Sequence, residues 1–371
     1  MILKLLNKYK YYSAKEILKM NAQYNLVIGE RSNGKTYCLL NMAIENWVKK
    51  RKKTGYIRRW AEDLKGKRGR VIFDGLIANG VISKLTNGEW DRIYYYSKTW
   101  YLAKWDEDLN KLVYDTEPFM YGFALSEMEH DKSTSYPDIT LIIFDEFMTR
   151  GAYYPDEFIQ FTNVISTIVR ERTDVTIFML ANTVNRYCPY FKEMGLTEIK
   201  NQKKGTIDLY KYGESGLRVA VEYADSISKK GKASDVYFAF DNPRLKMITS
   251  GTWEIAMYPH LPVKYKPKDI LFKFFIIFGD ETLQCEIVQK DGIFMFIHEK
   301  TTPIKDWDKD FIFTTEYDHR PNVRRRITRA RSEIERKIMY LFDREKVFYQ
   351  DNEVGEVVRN YLQWCQSEKI Q

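Results

Sequence analysis

A lysine and a hydroxyl close a glycine-bounded octapeptide, Gly29-Glu30-Arg31-Ser32-Asn33-Gly34-Lys35-Thr36, and these are the residues best placed to do chemistry. The segment fits G-x-x-x-x-G-K-[ST], the loop whose backbone N–H groups cradle phosphates. Gly29 and Gly34 would let the backbone wrap the anion. Lys35 would reach the β- and γ-phosphates, and Thr36 would ligate Mg²⁺. The expected ligand is ATP with Mg²⁺.

A second set of polar groups ends an apolar run, Leu141-Ile142-Ile143-Phe144-Asp145-Glu146. Four apolar residues put Asp145 at the C-terminal end of a buried strand, where α/β sheets bind ligands. Asp145 would hold Mg²⁺ through water. Glu146 points the other way on a strand and would polarise the water that attacks the γ-phosphate. An Asp-Glu pair here marks hydrolytic P-loop ATPases with a strand-end glutamate base, and argues against nucleotide kinases.

Three further residues are candidates. Plotted at 100° per residue, the segment Phe158–Arg172 places Phe158, Phe161, Ile165, Ile168 and Val169 on one face. Arg172 falls under that face and Arg170 opposite it. An arginine finger must project away from its own core, so Arg170 is the expected finger and Arg172 its alternative. A solvated helix-terminal arginine is the structural alternative for either. Asn182 ends the apolar run Val175–Ala181 and would sit beside Glu146 across the sheet, sensing the γ-phosphate or orienting water; a turn asparagine is its structural alternative. Lys132 is a candidate second cation acting across a subunit boundary.

These groups need elements to hold them. Tyr24–Ile28 reads as a short buried strand and Tyr37–Trp47 as a helix, so the loop opens a helix N-terminus, where the dipole favours anions. Tyr56–Trp60 is a second strand and Lys65–Arg70 an exposed basic loop. Arg92–Trp105 and Lys111–Leu125 read as strands of a meander about the turn Asp106–Asn110. Asp156–Arg172 is a helix and Val175–Leu180 a buried strand. Strand–helix alternation with doubly apolar strands indicates a parallel-centred α/β sheet covered by helices. Residues 1–204 are therefore read as a P-loop ATPase domain. Residues 205–245, with Gly205, Gly213, Gly216 and Gly231, are read as a linker or lid. Residues 246–371 form an α+β domain with strands Leu271–Phe278, Leu283–Gln289 and Ile293–Glu299, then helices near 322–341 and 353–368.

Composition sets the outer bounds. The chain has 371 residues, 44% of them hydrophobic, with a net charge of +8 that permits a polyanionic partner without requiring one. Four scattered cysteines without a C-x-x-C point to reduced thiols. The N-terminus lacks the pattern of a secretion signal, and Ile270–Phe278 is too short to span a bilayer, so a soluble intracellular protein is expected. Basic clusters at Lys49–Arg70 and His319–Arg331 are candidate phosphate-contacting surfaces, or merely solvated ones.

Taken together, VIGERSNGKT, YIRRW, KSTSYP leading into LIIFDEF, and TIVRERTDVTIFMLAN resemble the genome-packaging ATPases of phi-29-type tailed phages. These are relatives of the large terminase and of FtsK/HerA-type translocases. The resemblance covers roughly residues 20–195 and weakens beyond 245. It implies an additional-strand, catalytic-glutamate (ASCE) P-loop fold and a homopentameric ring at the portal vertex of an empty prohead. It implies ATP-driven movement of double-stranded DNA, with Arg170 and Lys132 facing the neighbour's ATP. It implies partners in the portal and a packaging RNA, no membrane, a place in the host cytoplasm, and absence from the mature virion. The family's second domain resembles an RNase H-like nuclease that is degenerate in the phi-29 branch. An active site of that kind begins with an aspartate inside the first strand, and Leu271–Phe278 has none, so nuclease activity is not expected. The competing readings are a cellular DNA translocase or helicase, and a nucleotide-regulated scaffold with little turnover.

Overall fold

A computed structural model describes residues 11–130, 136–149, 153–154, 156–182, 188–213, 215–225, 258–261 and 263–367. They fall into two compact units, one within Met1–Arg150 and Asp156–Glu254, the other within Gly151–Pro155 and Ile255–Gln371.

The first unit opens with α1 (Lys15–Leu18), β1 (Tyr24–Gly29), α2 (Lys35–Lys50) and β2 (Lys53–Arg58), followed by the short helices α3 (Gly66–Val71), α4 (Asp74–Ala78) and α5 (Val81–Leu85). Next come β3 (Arg92–Tyr96), β4 (Thr99–Asp106), β5 (Lys111–Tyr114), β6 (Met120–Ala124), β7 (Ile139–Asp145), α6 (Glu157–Val169), β8 (Thr176–Asn182), α7 (Pro189–Glu193), β9 (Thr206–Tyr212) and β10 (Leu217–Tyr223). The strands form one sheet in the order β3-β4-β6-β2-β7-β8-β1-β10-β9, with β5 on β4. From β6 to β10 neighbouring strands run parallel. β8 lies between the P-loop strand β1 and the acidic strand β7, so all three deliver their C-terminal ends to one place. Those strands are apolar on both faces, as a sheet covered on both sides requires. Leu26, Val27, Ile142, Ile143, Phe144, Phe178 and Met179 are all fully buried. In α2, Leu39, Leu40, Ala43, Ile44 and Trp47 recur at helical spacing and are buried, which seats the helix on the sheet.

Four expectations need correction. Residues 206–223 of the supposed linker form β9 and β10, and β10 pairs with β1 from Tyr24↔Val219 to Ile28↔Tyr223. The glycines that suggested a linker, Gly213 and Gly216, lie at φ 42° and 66° in the hairpin turn. Residues 226–245, the rest of that segment, lie outside the described residues. The basic stretch Lys65–Arg70 is largely helical in α3. The meander has an extra turn at Ser97-Lys98, both at positive φ, and β6, antiparallel to β4, pairs on its other side in parallel with β2. The helix placed at 322–341 begins only at Glu333, capped by Ser332, whose Oγ accepts from the Glu335 N–H. The arginines of 320–331 therefore precede it, on loop and on the two-residue strand β15 (Val323–Arg324).

The second unit is a sheet of β11 (Ile270–Phe278), β12 (Glu281–Gln289), β13 (Ile293–Glu299), β14 (Phe311–Thr314), β15 and β16 (Val347–Tyr349), ordered β15-β14-β11-β12-β13-β16. β11, β12 and β13 are antiparallel, and β14 joins β11 in parallel. The helices Glu333–Asp343 and Asn352–Ser367 complete it. One face carries a polar cluster. Glu286 on β12 lies 3.8 Å from both Lys273 Nζ and His298 Nε2, and accepts hydrogen bonds from Tyr265 and Gln284. Burial alone would raise the Glu286 carboxyl, but its hydrogen-bonding partners His298, Tyr265 and Gln284 outweigh that and hold it at about 2. Pairing with Glu286 raises His298 above its ordinary value. A raised histidine contributes stability that is complete below its unfolded pKa, near 6.5, and is lost as pH climbs through the folded value. A lowered carboxylate contributes stability that is complete above about 4.5 and is lost as pH falls towards 2. The cluster should therefore contribute most between about pH 4.5 and 6.5. Urea unfolding of the full chain should show the second unit weaker at pH 8.5 than at 5.5, and His298→Gln should remove that difference. An unchanged difference in the variant would sink the assignment.

Candidate functional site

The three C-terminal strand ends and the N-terminus of α2 enclose a cavity of about 180 Å³, whose lining includes Asn33, Lys35, Thr36, Asp145, Glu146 and Asn182. The phosphate loop therefore has the strand–turn–helix setting its sequence called for. Gly34 stands at φ 90°, open to glycine, and Tyr11 packs against it so closely that a Cβ there would lie 3.2 Å from the Tyr11 ring. Ser32 also has positive φ, at 60°.

Lys35 is buried, and its Nζ donates to the Glu30 carbonyl at 2.7 Å and to Asn33 Oδ1 at 3.2 Å, with Asn182 Oδ1 at 3.5 Å. Asn182 thus reaches the site through Lys35, because β8 runs beside β1 with Asn182 opposite Gly29. Burial pushes the Lys35 ammonium down to about 8, against the pull of Asp145 and Glu30. A triphosphate entering the cavity would restore full protonation. At pH 8, nucleotide binding should then take up about half a proton, and affinity should fall as pH rises further. Calorimetry in buffers of different ionisation enthalpy reads this directly; equal heats in all buffers would refute it.

Asp145 is the last residue of β7. Its Oδ1 accepts from Thr36 Oγ1 at 3.2 Å and its Oδ2 from the Tyr56 hydroxyl at 2.8 Å. Burial raises its carboxyl above the ordinary value, opposed chiefly by the Arg58 guanidinium 3.6 Å away. A hydroxyl and a carboxylate converging in this way are the hard oxygen donors that Mg²⁺ prefers, so these residues fit that ion.

Glu146 departs from the expected geometry. It lies beyond the strand at φ 60°, so a left-handed residue, and not the pleat, sets its direction. Strained non-glycine residues of this kind cluster at functional sites. Its carboxylate is about half exposed and pairs with Arg58 Nη2 at 2.8 Å. Arg58 also reaches Asp63, at 3.3 Å. The backbone behind Glu146 is fixed by the residue that follows β2. Arg59 donates to the carbonyls of Glu146, at 3.2 Å, and Phe147, at 2.6 Å. It also forms a bidentate pair with buried Glu157 at 2.8 and 2.9 Å. The Tyr190 hydroxyl donates to the same carboxylate at 2.8 Å.

Tyr56, Arg58, Arg59 and Glu157 are not singled out by sequence alone. The available signal was YIRR at the end of a strand that had to lie beside the acidic one. Residues two apart share a face of a strand, so Tyr56 and Arg58 reach one carboxylate while Arg59 turns the other way.

Neither candidate arginine for the finger lies on α6. α6 ends at Val169, and Arg170 turns out of it at φ 51° and ψ −124°. Arg170 is exposed. Arg172 is occupied in structure: its guanidinium donates to the carbonyls of Pro137, Ile139 and Ile168 at 2.8, 2.7 and 3.1 Å. Lys132 lies outside the described residues.

A phosphate loop, an intervening β8 and a strand-end Asp-Glu pair around one cavity define a P-loop ATPase of the additional-strand, catalytic-glutamate class. More particularly, the chain belongs to the podovirus DNA encapsidation protein (Gp16) family, whose profile it matches over residues 6–74 and 111–365. It is 23% identical over 334 residues to the DNA packaging protein of Bacillus phage PZA, covering 86% of this chain and 91% of that protein. It is 26% identical to the DNA packaging protein of Bacillus phage phi29 over 206 residues, 55% of each chain. Its fold is similar to that of the phi-28 gp11 DNA packaging motor, with a TM-score of 0.54, 18% identity and coverage of 97% of this chain and 98% of the other. It is similar also to the phi-29 packaging motor assembly, at a TM-score of 0.53 and 18% identity over 94% and 96% of the two chains.

Proposed function

We propose that this chain is the ATP-hydrolysing subunit of a homopentameric ring that drives double-stranded viral DNA into a preformed prohead. The observation that carries the reading is the cavity in which Lys35, Thr36, Asp145 and Glu146 converge, in a chain of the encapsidation family. Gly29–Thr36 bind ATP, with Glu30, Arg31, Ser32 and Asn33 forming the loop's interior. Thr36 and Asp145 hold Mg²⁺, which when bound draws charge from the phosphates. Asn182 orients Lys35, and Glu146 takes the proton of the attacking water. For that, Glu146 must turn from Arg58. Arg170 supplies the neighbour's finger, and Lys132 is a further cation for that boundary.

In the second unit, the place beside β11 that a nuclease would need for metal ligands is apolar. Phe275 and Ile312 pack there with Ile304 and Val323, and Lys273 is the only charged residue in the strand. This supports a non-catalytic domain. The exposed arginines of this run, Arg325, Arg329 and Arg331, supply phosphate-binding groups for a packaging RNA, or docking groups for the portal, whereas Arg326 is buried and Arg320 and Arg324 pair with Asp318 and Glu335. The ring works at the portal vertex in the host cytoplasm and leaves before the virion matures. Among the described residues, no helix is long and apolar enough to cross a membrane.

The test is protection of DNA from nuclease by proheads. Protection should require this chain, proheads and ATP, and should vanish with Glu146→Gln. Prohead-independent translocation would favour a cellular-type translocase. A wild-type hydrolysis rate no greater than that of Glu146→Gln, in assembled rings with DNA, would favour a scaffold.

A further inference from the structure

The family profile passes over residues 75–110, yet this segment contains β3 and β4, the far end of the first unit's sheet. Its inner face is ordinary core, with Trp100 and Leu102 buried. Its outer face is aromatic. Tyr94 and Tyr114 stack at 4.5 Å between centroids, and Tyr101 meets them at 5.9 and 5.6 Å. On that same face of the pleat Trp105, Tyr114 and Tyr96 are 46%, 47% and 64% exposed. Contiguous exposed aromatics mark an interaction surface, and Tyr and Trp are the residues that dominate protein interfaces.

Charge selects the class of partner. Between residues 91 and 117 there are six acidic and four basic residues, and the turn Asp106-Glu107-Asp108 closes β4 onto β5. Asp91, Asp115 and Glu117 pair with Arg92, Arg51 and Lys53, so the acidic character of this end rests on the turn Asp106-Glu107-Asp108 beside Trp105, and that turn disfavours a phosphate backbone there. The opposite end of the same sheet is β9, whose outer edge pairs with no other strand among the described residues. There Leu209 and Lys211 are exposed, and residues 200–218 carry five basic and two acidic residues. A ring of identical subunits closes through two different, complementary faces on each copy. The two ends of this sheet supply them: one acidic and aromatic, the other basic with an open strand edge.

We propose that the β3–β5 aromatic face docks on the β9 edge of a second copy of this chain and forms part of the subunit interface. The inference rests on the ring reading above. The test is native mass spectrometry and sedimentation of the full-length chain with ATPγS. A Trp105→Ser, Tyr114→Ser chain should assemble at least about tenfold more weakly than the wild type. Lys211→Glu should weaken assembly too, and adding Asp108→Lys should restore it; this swap also decides the matter if the aromatic variant fails to fold. On proheads, Glu107→Cys with Lys211→Cys should give cross-linked ladders. Rings of wild-type affinity in both variants would overturn the proposal and leave the ring reading standing. A wild-type chain that stays monomeric with ATPγS, together with no ladder from the double-cysteine chain on proheads, would overturn both. Normal assembly with lost DNA-stimulated hydrolysis would make the face a DNA contact and likewise overturn it.

Discussion

Replacing Glu146 with glutamine should lower ATP turnover by roughly 10²–10⁴-fold, the usual contribution of a positioned general base. Nucleotide affinity should stay within a factor of about three, because Lys35 and Thr36, the groups proposed to hold phosphate and Mg²⁺, are untouched. The two effects separate because Glu146 lies at the cavity's rim, half exposed and paired to Arg58, while Lys35 is buried in its floor. Glutamine can still accept from Arg58 but cannot take a proton, so the substitution removes the chemistry and keeps the contact. Single-turnover hydrolysis and equilibrium binding of ATPγS measure the two quantities. Turnover within tenfold of wild type would remove Glu146 as the base. The same chain tests the finger. In rings mixed from Arg170→Ala and Glu146→Gln subunits, some sites pair an intact Glu146 with an intact neighbouring arginine, and activity should partly return. If none returns at any mixing ratio, Arg170 does not act across the boundary.

The parts of this site legible in sequence are those set by local spacing. Gly29–Thr36 and Leu141–Glu146 each carry their own strand and their own polar end, so period and motif place them without knowledge of the rest. Asn182 was legible for the same reason, as the polar end of a third apolar run. What the sequence hid depends on strand order. Nothing local shows that β2 lies beside β7, and so nothing local shows that Tyr56 and Arg58 reach Asp145 or that Arg59 reaches Glu157. Arg170 illustrates a different failure. A helical wheel assumes the helix continues, whereas the chain turns to positive φ one residue after Val169. The β9–β10 hairpin was misread because its glycines serve a tight turn, and an alternating strand such as Thr206–Tyr212 looks polar enough to be a linker.

The hidden pair carries the second large effect. Arg59 and Glu157 are 6% and 1% exposed in their side chains, and neither can be left alone in that setting. Glu157→Ala should destabilise the first unit by about 3–5 kcal/mol, the cost of stranding a buried charge. That is a sizeable part of the roughly 5–15 kcal/mol that holds a domain together. Urea unfolding gives the number, and a loss below about 1 kcal/mol would show that the pair is not what fixes this corner. Stability alone would not connect the pair to catalysis, so Glu157→Gln is the more telling chain. Its one carbonyl oxygen can still accept from Arg59 Nη2 and from Tyr190, while the charge and the acceptor for Arg59 Nε are lost, and the chain should fold. Arg59 holds the carbonyls of Glu146 and Phe147 only as well as Glu157 holds Arg59. A looser clamp lets the strained backbone at Glu146 relax, and the base drifts from the attacking water while the phosphate loop stays in place. Glu157→Gln should therefore reduce kcat with little change in KM. A change in KM alone would place the pair in nucleotide binding instead. With kcat reduced, the two arginines at the end of β2 act on the same glutamate from two sides, since Arg58 holds the carboxylate of Glu146 and Arg59 holds the backbone that carries it.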